Sequence, residues 1–288
     1  MLAEGLPTAS WTWYKYSTCF QNIHFYFIVK LMLSSIFSAL IVVTNSMCLC
    51  FNYRDLSTAS LRYLSSRQAL ADIVNFRTEI ARKRELTKNK WVTFGGSYGG
   101  SLAVWSRIKH PNLFAAAVGS CAPVQAKLNF YEYYEVVGRI PSAHNSKCPK
   151  AVKEAFDILV QMLKLPENCN KQWFYQCWTE FGFFKTTELK NRPFSGTPLR
   201  YFLQKCSDIF VPEFNSDSVA QGVKATNKHY GDFNVNGSKI IFSNGSIDPW
   251  YTVRITKDIS EDLPAVFIKG NTDMNTQRPT NRMKYTSM

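Results

Sequence analysis

Trp91-Val92-Thr93-Phe94-Gly95-Gly96-Ser97-Tyr98-Gly99-Gly100 is the stretch that decides how this chain folds. Four mostly apolar, strand-prone residues run into Gly-x-Ser-x-Gly, read as Gly95-Gly96-Ser97-Tyr98-Gly99. The helix-forming run Ser101-Leu102-Ala103-Val104-Trp105-Ser106 follows. Strand, tight turn and helix in this order are the setting of a nucleophile elbow. Such a turn brings backbone close to backbone, so its flanks must be small, and Gly95, Gly96, Gly99 and Gly100 have no Cβ to clash. The turn lifts the Ser97 hydroxyl above the sheet. It also aims the Tyr98 N–H, at the start of the helix, toward a developing oxyanion.

A serine nucleophile needs a base, and the base needs an orienting acid. In the α/β-hydrolase order the acid and then the base follow the serine. Lys239-Ile240-Ile241-Phe242-Ser243 reads as a buried strand, and Asn244-Gly245-Ser246-Ile247-Asp248-Pro249-Trp250 as the loop at its end. Asp248 therefore stands where a triad acid belongs, although an aspartate before proline also suits a plain turn. The base is harder to place. The 4 histidines are His24, His110, His144 and His229, and none follows Asp248.

Several segments together resemble one family. Gly95 to Gly100, Ser120-Cys121-Ala122-Pro123-Val124 and Phe242 to Trp250 are similar to the serine peptidases that include prolyl carboxypeptidase, dipeptidyl peptidase II and thymus-specific serine protease. Asp55-Leu56-Ser57-Thr58, Gln68 to Asp72 and Trp173 to Gly182 match the same family in order. The similarity runs from about Arg54 to about Asn281, nearest to the thymus-specific branch. It implies an incomplete α/β-hydrolase fold with an inserted helical lid. It also implies exopeptidase-type cleavage of peptides, often beside proline, with Ser97 as nucleophile and Asp248 as acid. No metal or organic cofactor is expected. Toward its C-terminus the family has an apolar strand and then Gly-Thr-Ala-His-Cys-Ala-Asp-Met. This chain reads Val266-Phe267-Ile268-Lys269-Gly270-Asn271-Thr272-Asp273-Met274, so the flanks match and the His is missing. Thr272 and Asp273 cannot shuttle a proton near neutral pH as imidazole does. His229, just before the Lys239 strand, is the nearest stand-in by sequence.

The chain has 288 residues, 45% of them hydrophobic, and a formal charge of +13. That length suits one large α/β domain, or a domain with an insertion. The positive residues are scattered apart from Arg82-Lys83-Arg84 and Lys88-Asn89-Lys90. No basic stripe interleaved with aromatics is present, so a nucleic-acid partner is not expected.

Residues 1–53 do not resemble the family. Leu31 to Tyr53 carries no charge, and its apolar heart is Ile36 to Val43. It is long enough to span a bilayer, for which ~20 residues suffice. Lys15 and Lys30 on its N-terminal side favour an N-in anchor. Three readings stay open: a membrane anchor through Leu31–Cys50, a late signal sequence, and a stretch foreign to the enzyme. The family match starts abruptly, as if the chain were N-terminally truncated relative to its relatives. The sheet is accordingly expected to lack early strands and one oxyanion donor.

The domain reading is therefore 1–53 unmatched, 54–124 with 231–288 as the hydrolase domain, and 125–230 as lid. Ser65 to Leu86 shows helical spacing at Leu70, Ile73, Val74, Phe76 and Ile80. Leu113 to Ser120 reads as the next strand, which implies a parallel sheet. Of 8 cysteines, Cys148, Cys169, Cys177 and Cys206 fall in the lid without zinc-ligand spacing. Two disulfides are expected there, Cys177 with Cys206 and Cys148 with Cys169, in a secretory compartment. Asn236 and Asn244 stand in glycosylation acceptor motifs.

Overall fold

The computed structural model describes residues 13–20, 23–30 and 39–44 as backbone, and residues 58–144, 150, 152–154, 171–188, 194, 196–210 and 214–270. Nine strands are described: β1 Trp13–Phe20, β2 Ile23–Lys30, β3 Ala39–Thr44, β4 Trp91–Gly96, β5 Ala116–Ser120, β6 Lys127–Asn129, β7 Gly182–Phe184, β8 Ile240–Gly245 and β9 Ala265–Ile268. Seven of them form one sheet in the order β1-β2-β3-β4-β5-β8-β9. The pairs from β3 through β9 are parallel, and β1 and β2 are antiparallel additions at one edge. This mostly parallel sheet, with a helix leaving the end of β4, is an incomplete α/β-hydrolase fold.

β3 corrects the expectation of a membrane-spanning helix over Leu31–Cys50. Ala39–Thr44 is a strand, paired to β2 on one side and to β4 on the other, with Ile41 opposite Thr93. The rest of Leu31–Cys50 lies outside the described residues. Leu40-Ile41-Val42-Val43 is short, apolar and β-branched, and such a run reads the same whether lipid or two neighbouring strands surround it. Among the described residues, no helix is long and apolar enough to cross a membrane. Residues before the boundary at 53 supply three strands of the sheet.

Helix α1 is the short turn Thr58–Leu61, and α2 spans Ser66–Lys83. The Ser65 hydroxyl caps α2 by accepting from the Gln68 N–H, and Ala69, Leu70, Ile73 and Phe76 form its buried stripe. Helix α3, Tyr98–Lys109, is buried from Tyr98 to Arg107. Such all-round burial requires cover on both sides: the sheet lies beneath, and Trp105 stacks on Tyr230 at 3.8 Å on the other. The buried Arg107 guanidinium donates to the carbonyls of Pro111, Phe114 and Ser238. It thereby ties the end of α3 to the segments that enter β5 and β8.

Between β5 and β8 lie α4 Glu132–His144, α5 Lys171–Gln176, α6 Leu199–Ile209 and α7 Ser216–Tyr230. A π-helical turn, Cys177–Phe181, extends α5, and the small parallel pair β6–β7 follows it in space. Cys177 and Cys206, expected as a bridge, are both buried free thiols. Burial pushes the Cys206 thiol up to about 12 and the Cys177 thiol well above its ordinary value. Both stay protonated and pack as small apolar groups, which spacing along the chain does not distinguish from a bridge. Cys148 and Cys169 lie outside the described residues.

Glu180 holds this insertion onto α2. Its carboxylate accepts from the Ser66 N–H at 2.8 Å and the Ser66 hydroxyl at 2.6 Å, and the Tyr230 hydroxyl donates to Ser66 Oγ. Burial raises the Glu180 carboxyl above its ordinary value, against the opposing pull of the Ser66 donors. A raised carboxyl binds its proton more tightly in the folded state than in the unfolded one. Its contribution to stability is therefore present below the ordinary carboxylate value and is lost as the pH rises through that value toward the raised one. Glu180→Gln should remove this slope. Thermal melts from about pH 4 to pH 7 are expected to show the native chain losing stability relative to Glu180→Gln as the pH rises. Parallel curves would show that Glu180 does not titrate differently on folding.

Candidate active site

Ser97 is the one residue between β4 and α3, at φ 54 and ψ −130. A serine pays a steric cost at positive φ and holds it only where its surroundings compel it. Those surroundings are its glycines. A Cβ on Gly95 would lie 2.0 Å from the Gly99 carbonyl oxygen, and one on Gly100 would lie 2.9 Å from the Ser120 carbonyl oxygen. The Ser97 N–H donates to the Ser120 carbonyl at 2.9 Å, fixing the turn to the end of β5. The side chain is exposed and caps nothing. The N–H groups of Tyr98 and Gly99 open α3 and find no backbone carbonyl among the described residues, as the first turn of a helix dictates. The buried Tyr98 ring turns away from solvent. It lies 5.3 Å from Phe181 and 6.0 Å from Trp173, and its hydroxyl accepts from Gln176.

The ends of β4, β5 and β8 are knitted side by side. The Cys121 N–H donates to the Ser243 carbonyl, the Ser243 hydroxyl to Ser120 Oγ, and the Val124 and Gln125 N–H groups to the Val253 carbonyl. Ser101 Oγ donates to the Pro123 carbonyl and locks the elbow helix to the loop after β5. Two strand spacings, roughly 10 Å, therefore separate the loop of Ser97 from the loop of Asp248. Both lie at the carboxyl ends of parallel strands, where ligand sites of open α/β sheets form. No hydrogen bond joins Ser97 to Asp248 among the described residues.

Asp248 is 4% exposed, and both of its oxygens are engaged. Oδ1 accepts from the Trp250 N–H at 3.0 Å, capping the 3-10 turn Pro249–Val253. Oδ2 accepts from Arg254 Nη1 at 2.6 Å in a buried ion pair. The turn-capping reading of this aspartate is thus realised in full. A carboxylate has about four lone-pair sites, so capacity for a further donor remains. Asn244 is 1% exposed, with its amide bonded to the Ile255 carbonyl, which rules it out as a glycan acceptor. Asn236 is exposed.

His229, the nearest stand-in for a base by sequence, lies far from Ser97. Lys109, at the C-terminal end of α3, donates to the His229 carbonyl. Ser97 is at the other end of that 12-residue helix, about 18 Å away at ~1.5 Å per residue. His229 lines a different cavity of about 330 Å³, together with Arg62, Arg67, Glu180 and Tyr230. Burial, and then the nearby cations Lys109 and Arg67, hold its imidazole below the ordinary value. His110 follows the last turn of the same helix, at that same far end.

Two residues of the site are not apparent from the sequence: Arg254, and Lys185 just after β7. The ammonium of Lys185 lies 4.3 Å from the Tyr133 ring centroid and 5.0 Å from that of Trp250. Arg254 follows Asp248 at a separation of 6, close enough to have been considered as its partner. Nothing in the run around Lys185 marks it.

The family described as Serine carboxypeptidase S28 matches residues 50–171 and 166–287, and the chain belongs to that family. The thymus-specific serine protease of Homo sapiens is 27% identical over 78% of this chain and 66% of its own length. The lysosomal Pro-X carboxypeptidase of Bos taurus is 22% identical over 72% of this chain and 62% of its own. The chain thus spans about two thirds of the length of the curated relatives it matches. Among solved structures, epoxide hydrolase A from Mycobacterium thermoresistibile aligns with 93% of this chain and 95% of its own, at 13% identity and a TM-score of 0.43.

Proposed function

We propose that this chain carries a serine-type peptidase site of exopeptidase type with proline-related specificity. Ser97 is its nucleophile, the Tyr98 N–H an oxyanion donor and Asp248 the orienting acid. The observation that carries the reading is the exposed Ser97 at positive φ between two close-packed glycines. The names of its relatives, a lysosomal Pro-X carboxypeptidase among them, support peptides as substrates and a secretory-pathway location, lysosomal or extracellular. The insertion over residues 125–230 serves as a lid above the hydrolase residues 54–124 and 231–288. Serine attack on a carbonyl needs no metal or organic cofactor.

A second reading is favoured by one observation. No histidine follows Asp248, and His229 is held at the far end of α3. The chain would then bind peptides under its lid and turn them over poorly. A fluorophosphonate probe on the purified full chain separates the two. Labelling at Ser97 that disappears in Ser97→Ala supports a competent nucleophile. A chain folded by circular dichroism that takes no label would instead support binding without chemistry.

A further inference from the structure

Among the described residues, the Lys185 ammonium rests on two aromatic rings and makes no ion pair. Gly182 and Phe183, at φ 70 and φ 60, turn the chain sharply as it leaves the π-helical turn. A Cβ on Gly182 would lie 2.4 Å from the Lys127 carbonyl oxygen, so this bend is compelled by β6. Left-handed backbone at a phenylalanine is costly and tends to occur where a side chain must be aimed. Here it sends Phe184 into the core and Lys185 toward Tyr133 of α4 and Trp250 of the Asp248 loop. Those two rings stand nearly perpendicular, with centroids 6.0 Å apart.

The ammonium makes no hydrogen bond and no ion pair among the described residues; its only partners are the two ring faces. Glu132, an acidic residue of α4, is taken by Lys127. Asp248 is taken by the buried Arg254. Burial lowers the Lys185 amine below its ordinary value, and the charge of Asp248 offsets only part of that. A half-buried ammonium on aromatic faces is favourable only in part, because cation–π contact does not replace a hydrogen-bonded anion.

We propose that Lys185 is the anchor for the C-terminal carboxylate of a peptide bound between the insertion and the Asn244–Trp250 loop. This inference rests on the peptide-binding reading of the site and names the group that recognises the free chain end. The Tyr133 and Trp250 rings flank that group as apolar walls for the last side chain. A terminal carboxylate reaching Lys185 would give its donors a charged acceptor, which an amide cannot do.

The test measures binding to the full-length Ser97→Ala chain, so that turnover plays no part. Three short proline-containing peptides are compared by titration calorimetry: a free acid, its C-terminal amide, and the amide extended by a final aspartate. The free acid is expected to bind about 10- to 100-fold more tightly than the amide, the range of one charged hydrogen bond. Lys185→Met should bring the free acid down to the amide, and Lys185→Arg should keep most of the preference. An acid-to-amide ratio unchanged in Lys185→Met would overturn the assignment while leaving peptide binding intact. Equal binding of the free acid and the aspartate amide would overturn the terminal carboxylate as the ligand. Failure of all three peptides to bind would remove the peptide reading itself, and this inference with it.

Discussion

Replacing Asn271-Thr272 by Thr-Ala-His-Cys-Ala raises turnover of a proline-containing peptide by about 10⁴–10⁶-fold over the chain as written. That is the expected result, and the magnitude follows from what a base does. On the proposed reading Ser97 is the nucleophile on its elbow and the Tyr98 N–H an oxyanion donor, so binding and oxyanion stabilisation would be available without the base. Those effects account for the residual rate of a site that lacks one triad member. What is missing is a group that takes the Ser97 proton on attack and returns it to the leaving amine. The replacement restores the family spacing after Gly270, next to the end of β9. β9 pairs with β8 in parallel, Gly245 opposite Ile268, and the Gly270 N–H donates to Ser246 Oγ. A loop leaving Gly270 therefore starts beside the loop that carries Asp248. Rates are to be compared for the two chains and for each with Ser97→Ala. A gain below tenfold, or one that survives Ser97→Ala, would show that the base is not what limits this site.

What could be read from the sequence divides along physical lines. The elbow was legible because its requirement is local: a turn this tight admits only glycine at Gly95, and the contact that enforces it, with the Gly99 carbonyl, lies four residues away. Asp248 was legible because an aspartate before proline at the end of an apolar run marks a strand terminus, whichever role it then takes. The strand Ala39–Thr44 was not legible. Its apolar residues need cover on both faces, and nothing in Leu40-Ile41-Val42-Val43 says whether lipid or protein supplies it. The cysteines misled for a related reason. Cys177 and Cys206 both lie buried in the hydrophobic core, and a buried thiol carries the same letter as half a disulfide. Lys185 was hidden among 34 basic residues, because the feature that sets it apart, its seat on the Tyr133 and Trp250 rings, exists only in space.

Arg254→Met is expected to destabilise the chain by about 3–5 kcal/mol, the cost of stripping one partner from a buried ion pair. Arg254 and Asp248 are 3% and 4% exposed and meet at 2.6 Å. Without the guanidinium, the Asp248 carboxylate keeps only the Trp250 N–H as donor inside a closed loop. It must then either stay charged at that cost or take up a proton. Asp248→Asn takes the carboxylate from the buried Arg254 guanidinium, and a loss of similar size is expected. The double variant should lose clearly less than the sum of the two, because removing both charges leaves neither group uncompensated. Denaturant unfolding of the four proteins measures this coupling directly. The loop concerned is the one whose Val253 carbonyl accepts from Val124 and Gln125, so its loosening is felt at the end of β5 and, through Ser120, at Ser97. Arg254→Met should accordingly slow fluorophosphonate labelling at Ser97 even where the chain remains folded. A loss under about 1 kcal/mol for Arg254→Met would place this pair in the class of exposed ion pairs, and its hold on the site would fall with it.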